Sequence, residues 1–313
     1  MKSVAAAAET QKDLLQYFCT QMFLNISRRK SRKPSNYWKM KWAGVLPLNY
    51  LMNCTANNLN FTNTELTIES ATQNFKNHLA ENVYPGRGIV IGRNHENSWI
   101  VIYWIMGRSS NSRNRFFRHE NGILLTEAAD PSLVEDPSLI IYNAMRDVDD
   151  CIVVTNGSQT DTICEGFMQG ESFYDSLHKE KHEPDVPNFT PRISGMIEQK
   201  ISSVTLAKIS KSDFSDEQSV YHFYRYNEIG AGFGYCLTTY MGDGNPLPSF
   251  KGDPILLPLE GDAEQIAEKY WEALNQDNRI SLAVRELTFS GKDSMKIINR
   301  FDSRDGEKKF SPD

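Results

Sequence analysis

The sequence lacks the features that mark disulfide-rich, zinc-binding and membrane-spanning chains. Its five cysteines are odd in number and include no CxxC pair, so neither a disulfide framework nor a metal site is predicted. No uninterrupted apolar run reaches the ~18 residues that a membrane-spanning helix needs. The first residues also lack the apolar stretch of a secretory signal. We therefore expect a soluble, cytoplasmic protein with reduced thiols and no membrane partner.

Two common nucleotide-binding signatures are missing as well. No P-loop lysine accompanies the polar turn Thr155–Thr162, so hydrolysis of a nucleoside triphosphate is not predicted. The glycine-rich run Ile229–Gly234 looks like a dinucleotide loop, but prolines follow it where a helix is required. We interpret residues 229–258 as a bulged strand and a long loop, inserted in a larger domain.

The net charge of −6 is unevenly distributed. Residues 1–60 hold nine Lys or Arg against two acids, a charge of +7, so the remainder carries −13 (−6 minus +7). The basic run Arg28–Lys33 could contact nucleic acid, but a solvated tail is the simpler interpretation, and no nucleic-acid partner is predicted. Residues 1–68 are predicted to be an N-terminal appendage, partly helical or disordered.

The rest of the chain predicts an α+β fold, because strands are grouped with strands and helices lie at both ends. Apolar runs at Arg87–Arg93 and Ser98–Met106 flank a polar turn and predict a hairpin covered on both sides. Further strands are expected at 122–125, 139–143, 151–155, 204–210 and 220–226, and helices at 70–82, 165–179 and 262–275. The domain should span 69–301 and be followed by a frayed tail at 302–313.

An arginine cluster follows the second strand of this hairpin. Arg108, Arg113 and Arg115 fall within eight positions, with Ser109 among them. In an extended segment Arg113 and Arg115 would face the same way. Guanidinium groups bind phosphate oxygens through two hydrogen bonds, so the cluster suits an anionic ligand. A solvated basic turn at the sheet edge is an equal alternative.

Short polar side chains gather in a turn after the strand at 151–155, where they could bind ribose or phosphate or cap the next helix. They belong to Asn156, Ser158, Thr160 and Asp161, and Gly157 permits the tight turn.

Tyr142 and Asn143 end another predicted strand, although a buried Tyr is more often a packing residue. Glu183, in a proline-rich loop, is a candidate general acid or base. His178 and His182 are four residues apart, but no third ligand is in register, so no metal is predicted.

Five phrases in order resemble the archaeal-type IMP cyclohydrolase family, with the similarity running from about Tyr84 to Arg192 and weakly on to about residue 300. They are Tyr84–Gly92, Arg108–Arg115, Asp136–Arg146, Thr155–Thr162 and Thr190–Arg192. The resemblance implies a four-layer αββα core like that of N-terminal-nucleophile hydrolases, with two stacked, mainly antiparallel sheets flanked by helices.

The resemblance also implies an activity. Enzymes of this family close the ring of formamido-imidazole-carboxamide ribonucleotide (FAICAR) to IMP with loss of water, the last step of de novo purine biosynthesis. They are classed as hydrolases of cyclic amidine C–N bonds. The implied partner is a nucleotide substrate, no metal or redox cofactor is needed, and a homo-oligomer is expected.

Matched position by position, the family's catalytic residues fall on Arg113, Tyr142 and Glu183, with Arg115 and Asp185 as the competitors for the first and third roles. The resemblance implies that ribose and phosphate are held by Asn156, Ser158, Thr160 and Asp161, with Arg192 as a further anion contact. Arg108, Ser109, Arg115, Asn143 and Gly157 complete the predicted substrate-binding set.

Two alternatives stay open from the sequence. An amidohydrolase of the same fold would need a Cys, Ser or Thr nucleophile at a processed terminus, and the strand near Tyr84 offers none. A non-catalytic protein that binds purine nucleotides would keep the turn Asn156–Thr162 without turnover.

Overall fold

The computed structural model describes residues 67–134, 137 and 140–301, all of which belong to one compact unit of the chain, Leu59–Asp313. Almost all of the predicted appendage and all of the tail at 302–313 lie outside the described residues. The division into 1–68, 69–301 and 302–313 therefore stays a prediction. Within the described part of the chain, no helix is long and apolar enough to cross a membrane.

The described residues contain five helical segments and thirteen strands. The helices are α1 (residues 67–75, continued by the π-helical turn Lys76–Ala80), α2 (Ser110–Arg113), α3 (Gln159–Met168), α4 (Phe173–Leu177) and α5 (Ala263–Ala273). Short 3₁₀ turns lie at Pro131–Leu133 and Gln199–Ile201. The strands are β1 (Gly88–Arg93), β2 (Trp99–Met106), β3 (Phe116–Glu120), β4 (Ile123–Glu127), β5 (Asn143–Val148), β6 (Cys151–Thr155), β7 (Arg192–Glu198), β8 (Ser203–Lys211), β9 (Ser219–Tyr226), β10 (Phe233–Thr238), β11 (Ile255–Pro258), β12 (Arg279–Leu287) and β13 (Asp293–Asn299).

The strands form two antiparallel sheets. The first has six strands in the order β11-β10-β1-β2-β12-β13, and the second has seven in the order β3-β4-β5-β6-β7-β8-β9. The predicted hairpin is confirmed as β1 and β2, with Ile91 opposite Val101. Its turn is fixed by Asn94, whose Oδ1 accepts hydrogen bonds from the backbone N–H groups of Glu96 (3.1 Å) and Ser98 (2.9 Å).

Three clusters of buried apolar residues show how the sheets and helices are layered. Alternate residues of β1 and β2, such as Ile89 and Tyr103, pack between the sheets against Val154 and Leu206. The other residues of β1 and β2 pack outward against α1 and α5, and the outer face of the second sheet packs against α3 and α4. The order is helix, sheet, sheet, helix, so the predicted α+β fold of two stacked antiparallel sheets is confirmed.

Two predicted elements are wrong in detail. The single helix at 165–179 is two helices, because Gly170 has φ of +80° and Ser172 caps α4, its side chain accepting from the N–H of Asp175. Among the described residues of the strand predicted at 139–143, only Asn143 belongs to a strand, and β5 begins there. Before it, Thr126 Oγ1 accepts from the N–H of Tyr142 (2.9 Å), so a side chain replaces the sheet ladder.

The passage 229–258 contributes more to the sheet than predicted. It contains β10, which pairs with β1, and β11, which pairs with β10, with a loop between them. The expected strand and long loop are present, and a second strand was missed. Whether the passage is an insertion stays a prediction.

Candidate active site

A cavity of about 200 Å³ opens at one end of the first sheet, where β1 begins and β2 ends. Three arginines line it: Arg87 from the segment before β1, Arg108 from the segment after β2, and Arg115 from the segment after α2. Tyr84 and Tyr240 lie on its wall. The cavity is therefore lined by cationic side chains and has one aromatic side.

Arg115 is the most unusual group in this cavity. Its side chain is 1% exposed, and its Nε donates to Ser112 O (2.9 Å) while its Nη2 lies 3.5 Å from Met106 O. Nη1 has no hydrogen-bond partner among the described residues. The arginine ion pairs in this part of the chain do not include Arg115 either. A buried cation with a free donor is a binding element for an anionic atom.

The surroundings of Arg115 are also unfavourable for its positive charge. Burial, and then the nearby charge of Arg87, lower the pKa of Arg115. A guanidinium nevertheless remains charged at physiological pH. The positive potential in the cavity is therefore only partly compensated by the protein.

Arg87 has a partner, which is Glu183. The two side chains meet in a fork, Nη1 with Oε1 and Nη2 with Oε2 (3.1 Å for the second contact), and Glu183 is only 3% exposed. Burial is the largest influence and works against the charge on Arg87, but Glu183 together with Tyr142 and Tyr103 holds the pKa of Arg87 well above its ordinary value. Arg87 Nη1 also donates to Asn156 O (3.0 Å).

Gly86 sets the position of Arg87. Its φ is +73°, and a Cβ there would lie 2.2 Å from Thr239 Oγ1 and 2.5 Å from the ring of Tyr240. Only glycine fits this close approach without strain. The short Pro-Gly-Arg segment therefore delivers the guanidinium of Arg87 to the cavity.

Two tyrosines lie behind the arginines. The hydroxyl groups of Tyr142 and Tyr103 are 2.7 Å apart in the core between the sheets, and each interacts electrostatically with Arg87 and Arg115. Burial is the main cause that raises the pKa of Tyr103 well above its ordinary value, and Tyr142 adds to it. Tyr103 therefore keeps its proton at neutral pH and can share it with Tyr142.

The wall of the cavity carries an aromatic pair. The rings of Tyr84 and Tyr240 are nearly parallel at 22°, with centroids 6.0 Å apart. The guanidinium of Arg108 lies 5.0 Å from the centroid of Tyr84 and pairs with Asp243. The hydroxyl of Thr190 bonds both Tyr240 and the Asp185 carboxylate. Such a wall suits a planar, polar ligand.

The predicted catalytic residues lie at different places relative to the cavity. Tyr142 bonds Tyr103 in the core between the sheets, and Glu183 pairs with Arg87; of these four residues, only Arg87 lines the cavity. Arg113 does not line it, and its Nε donates to Gly107 O (3.2 Å). The expectation that the Arg113 segment is extended is wrong, because Ser109 caps the short helix α2 through the N–H of Ser112.

Of the predicted substrate-binding residues, Arg108, Ser109 and Arg115 line the cavity. The others hold the turn between β6 and α3. Asn156 Oδ1 accepts from the N–H of Ile193 (2.8 Å), and Asp161 accepts from Asn143 (2.8 Å) and Arg146 (2.9 Å).

The remaining members of this turn also bond within the protein. Thr160 Oγ1 lies 2.7 Å from Thr155 Oγ1, and Arg192 Nη1 donates to Gln159 Oε1 (2.8 Å). A Cβ on Gly157 would lie 2.6 Å from that Arg192 nitrogen, and Ser158 is exposed just before α3. The turn therefore braces the cavity through Arg87, and its role in ribose or phosphate binding stays a prediction.

The sequence reasoning missed several groups of the site, among them Arg87, Tyr103, Asn188 and Tyr240. Arg87 could have been found from the sequence, because it lies between two glycines at the start of a strand. Glycine at such a position often marks a place where a ligand or another part of the backbone approaches closely. Tyr103 is hidden in an apolar run, and Asn188 and Tyr240 reach the cavity from distant segments. No local pattern marks these three.

The two histidines, His178 and His182, contact different neighbours. The His178 ring packs 5.0 Å from that of Tyr221, and His182 Nδ1 lies 2.9 Å from Ser219 Oγ. Within the described ranges, no group of three or more His, Cys, Asp or Glu side chains is placed to hold a metal ion.

Fold and cavity together define a layered α+β protein with an arginine-lined candidate site. The sequence model of the family described as IMP cyclohydrolase-like protein matches residues 84–292, which is about two thirds of the chain (209 of 313). The chain belongs to this family, as its resemblance predicted.

Relatives of this chain are named IMP cyclohydrolase. The IMP cyclohydrolase of Methanopyrus kandleri is 27% identical over 171 residues, covering 53% of this chain and 79% of that protein. That of Methanosphaera stadtmanae is 33% identical over 123 residues, covering 38% and 59%. That of Methanocaldococcus jannaschii is 24% identical over 223 residues, covering 70% and 99%. The family match includes every residue that lines the cavity.

Proposed function

We propose that this protein is an IMP cyclohydrolase, which closes the ring of FAICAR to IMP and releases water. Family membership supports the reaction, and the single observation that carries the site is the buried Arg115 with its free Nη1. The substrate is a small-molecule nucleotide whose formyl oxygen gains negative charge during ring closure. The cavity offers a donor for such an oxygen.

The difficult step is the attack of the carboxamide nitrogen on the formyl carbon, because the lone pair of an amide nitrogen is delocalised. The attack forms the new C–N bond and moves the electron pair of the formyl C=O onto oxygen. We assign Arg115 to hold this oxyanion. A donor already fixed and desolvated before the reaction stabilises such a charge by roughly 3–4 kcal/mol.

Two protons must then reach the departing oxygen. One comes from the carboxamide NH₂ and the other from the formamide N–H, and the formyl oxygen leaves as water. We assign Tyr142 to relay a proton, with Tyr103 as the hydrogen-bonded partner that orients its hydroxyl (2.7 Å).

Glu183 and Asp185 remain the two candidates for the general acid or base. Both oxygens of Glu183 accept from Arg87, so this carboxylate reaches a substrate proton only if substrate binding opens the fork. Asp185 lines the cavity directly, although both its oxygens accept from Thr190. We retain Glu183 in this role and as the group that positions Arg87.

The decisive assay follows IMP formation from FAICAR by absorbance, with wild-type protein and Arg115→Met, Arg113→Met and Arg118→Met variants. Arg115→Met should lower turnover by about 10²-fold or more, as loss of an oxyanion donor does. Arg118→Met is the matched control, since Arg118 lies on the surface of β3 and pairs with Glu120 and Glu127.

Each other outcome has a clear meaning. If Arg113→Met abolishes turnover and Arg115→Met does not, the assignment of the oxyanion donor is wrong. If the wild-type protein binds the nucleotide tightly and forms no IMP, the protein is a nucleotide-binding relative without catalysis. A cytoplasmic location and a homo-oligomeric state stay predictions, the second of which light scattering of the purified protein can test.

A further inference from the structure

A second cavity, of about 480 Å³, adjoins the candidate active site. Asn188 lines both cavities. The second one is bounded by β8, by β9 and by the loop around Phe250. Three lysines and a histidine reach it, and they are Lys208, Lys211, Lys251 and His222.

Lys208 occupies a position where packing alone calls for an apolar residue. On β8, Val204 and Leu206 point into the core between the sheets, and Lys208 is the next residue of that row. It is 3% exposed. Burial of an ammonium group without a countercharge is costly, so the position is poorly explained by stability.

The partners of Lys208 leave it under-satisfied. Its Nζ donates to Phe250 O (2.8 Å) and lies 5.3 Å from the ring of the same residue. An ammonium has three donors. The lysine ion pairs among the described residues do not include Lys208.

The neighbouring charges leave the inner part of this cavity positive. Lys211 pairs with Asp216 (2.8 Å), and Lys251 lies 4.0 Å from Asp213 at the exposed rim. Asp253 acts on Lys208 only through space. None of these acids therefore makes an ion pair with Lys208.

His222 completes the cavity. It is the register partner of Lys208 across β8 and β9, so both side chains lie on one face of the sheet. Burial and the charge of Lys208 lower the pKa of His222, so its ring is neutral at pH 7 and offers one donor nitrogen.

We propose that this second cavity is a binding site for the phosphate group of a small molecule, with Lys208 as its central ligand and His222 beside it. A doubly charged phosphate supplies the countercharge that Lys208 lacks and accepts several hydrogen bonds at once. The site is separate from the groups assigned to ring closure, so the proposal does not depend on the proposed function.

The test titrates the whole protein with inorganic phosphate and, separately, with ribose 5-phosphate, while nuclear magnetic resonance follows the His222 ring. A His222→Gln variant identifies the resonance. Saturable shifts are expected with both ligands, and tighter binding of the sugar phosphate would identify an ester as the occupant. Lys208→Met should weaken binding by about tenfold or more, which is 1.4 kcal/mol. Lys292→Met, at an exposed hairpin, should not.

Arg115→Met separates the two sites, because it removes a cation from the first cavity only and should leave the His222 shifts intact. Wild-type binding in Lys208→Met, or no shift of His222 with either ligand, would overturn the proposal. If Lys208→Met does not fold, reductive methylation of the wild-type protein gives the answer. Phosphate should protect Lys208 but not Lys292 from labelling, and equal labelling with and without phosphate would refute the site.

Discussion

Replacement of Tyr103 and Tyr142 by Phe, singly and together, should show that the two hydroxyl groups contribute to the free energy of unfolding as a pair. Tyr103 and Tyr142 share one hydrogen bond of 2.7 Å, and both side chains are buried. Tyr142→Phe removes one partner and leaves the other hydroxyl without a bond in the core. An unsatisfied buried hydroxyl costs roughly 1–3 kcal/mol, whereas apolar replacement of both partners is nearly neutral.

A double-mutant cycle measures the coupling free energy of the two hydroxyl groups. Tyr103→Phe and Tyr142→Phe should each lower the free energy of unfolding by about 1–3 kcal/mol, and the double variant should lose less than the sum by about 1 kcal/mol or more. Urea unfolding followed by circular dichroism measures all four proteins. Costs that simply add would show that the two hydroxyl groups do not depend on each other.

Activity separates the roles within the pair. If Tyr142 relays a proton, Tyr142→Phe should lower the turnover of FAICAR by about 10²-fold or more. Tyr103→Phe should have a smaller effect and should alter the pH profile, since Tyr103 acts through Tyr142. Equal activity of wild type and Tyr142→Phe would refute the relay while leaving the stability argument intact.

Four further outcomes follow from the structure. Glu183→Gln should slow turnover more than Asp185→Asn in the same assay, and the reverse order would transfer the acid–base role to Asp185. Gly86→Ala should lower both the urea midpoint and turnover, because the left-handed φ of +73° and a contact of 2.2 Å both resist a Cβ. Burial raises the pKa of Cys164 to about 11. The folded state thus keeps a proton that the unfolded state loses near pH 8.5. The free energy of unfolding, measured as a function of pH, should therefore fall between roughly pH 9 and 11. Arg115→Met should raise the free energy of unfolding while it lowers activity, because it removes an uncompensated buried charge.

Local patterns carried much of the fold. The β1–β2 hairpin follows from two apolar runs around a turn. The helix α5 begins directly after Asp262, whose side chain accepts from the N–H of Gln265 as an N-cap residue does. The sequence also located the arginine cluster. It could not choose between Arg113 and Arg115, because that choice depends on the one-turn helix α2, which breaks the expected alternation.

The rest of the site depends on contacts between distant segments. Tyr103 lies within an apolar run, and only the stacking of two sheets brings its hydroxyl to that of Tyr142. Glu183 and Arg87 are 96 positions apart, so their fork has no local signature. The family resemblance predicted roles for Tyr142 and Glu183, and only the fold shows that Arg87 is the partner of Glu183.

The charges of the cavity explain why its stability and its function oppose each other. Arg87 and Arg115 lie close enough for the first to lower the pKa of the second, yet only Arg87 has a carboxylate partner. A second carboxylate beside Arg115 would relieve this repulsion, and it would also compete with any ligand oxygen for Nη1. The vacant donor therefore costs folding energy and keeps the site ready for an anion, as electrostatic preorganisation requires. Glu183 and Asn156 hold Arg87 beside Arg115 before any ligand arrives.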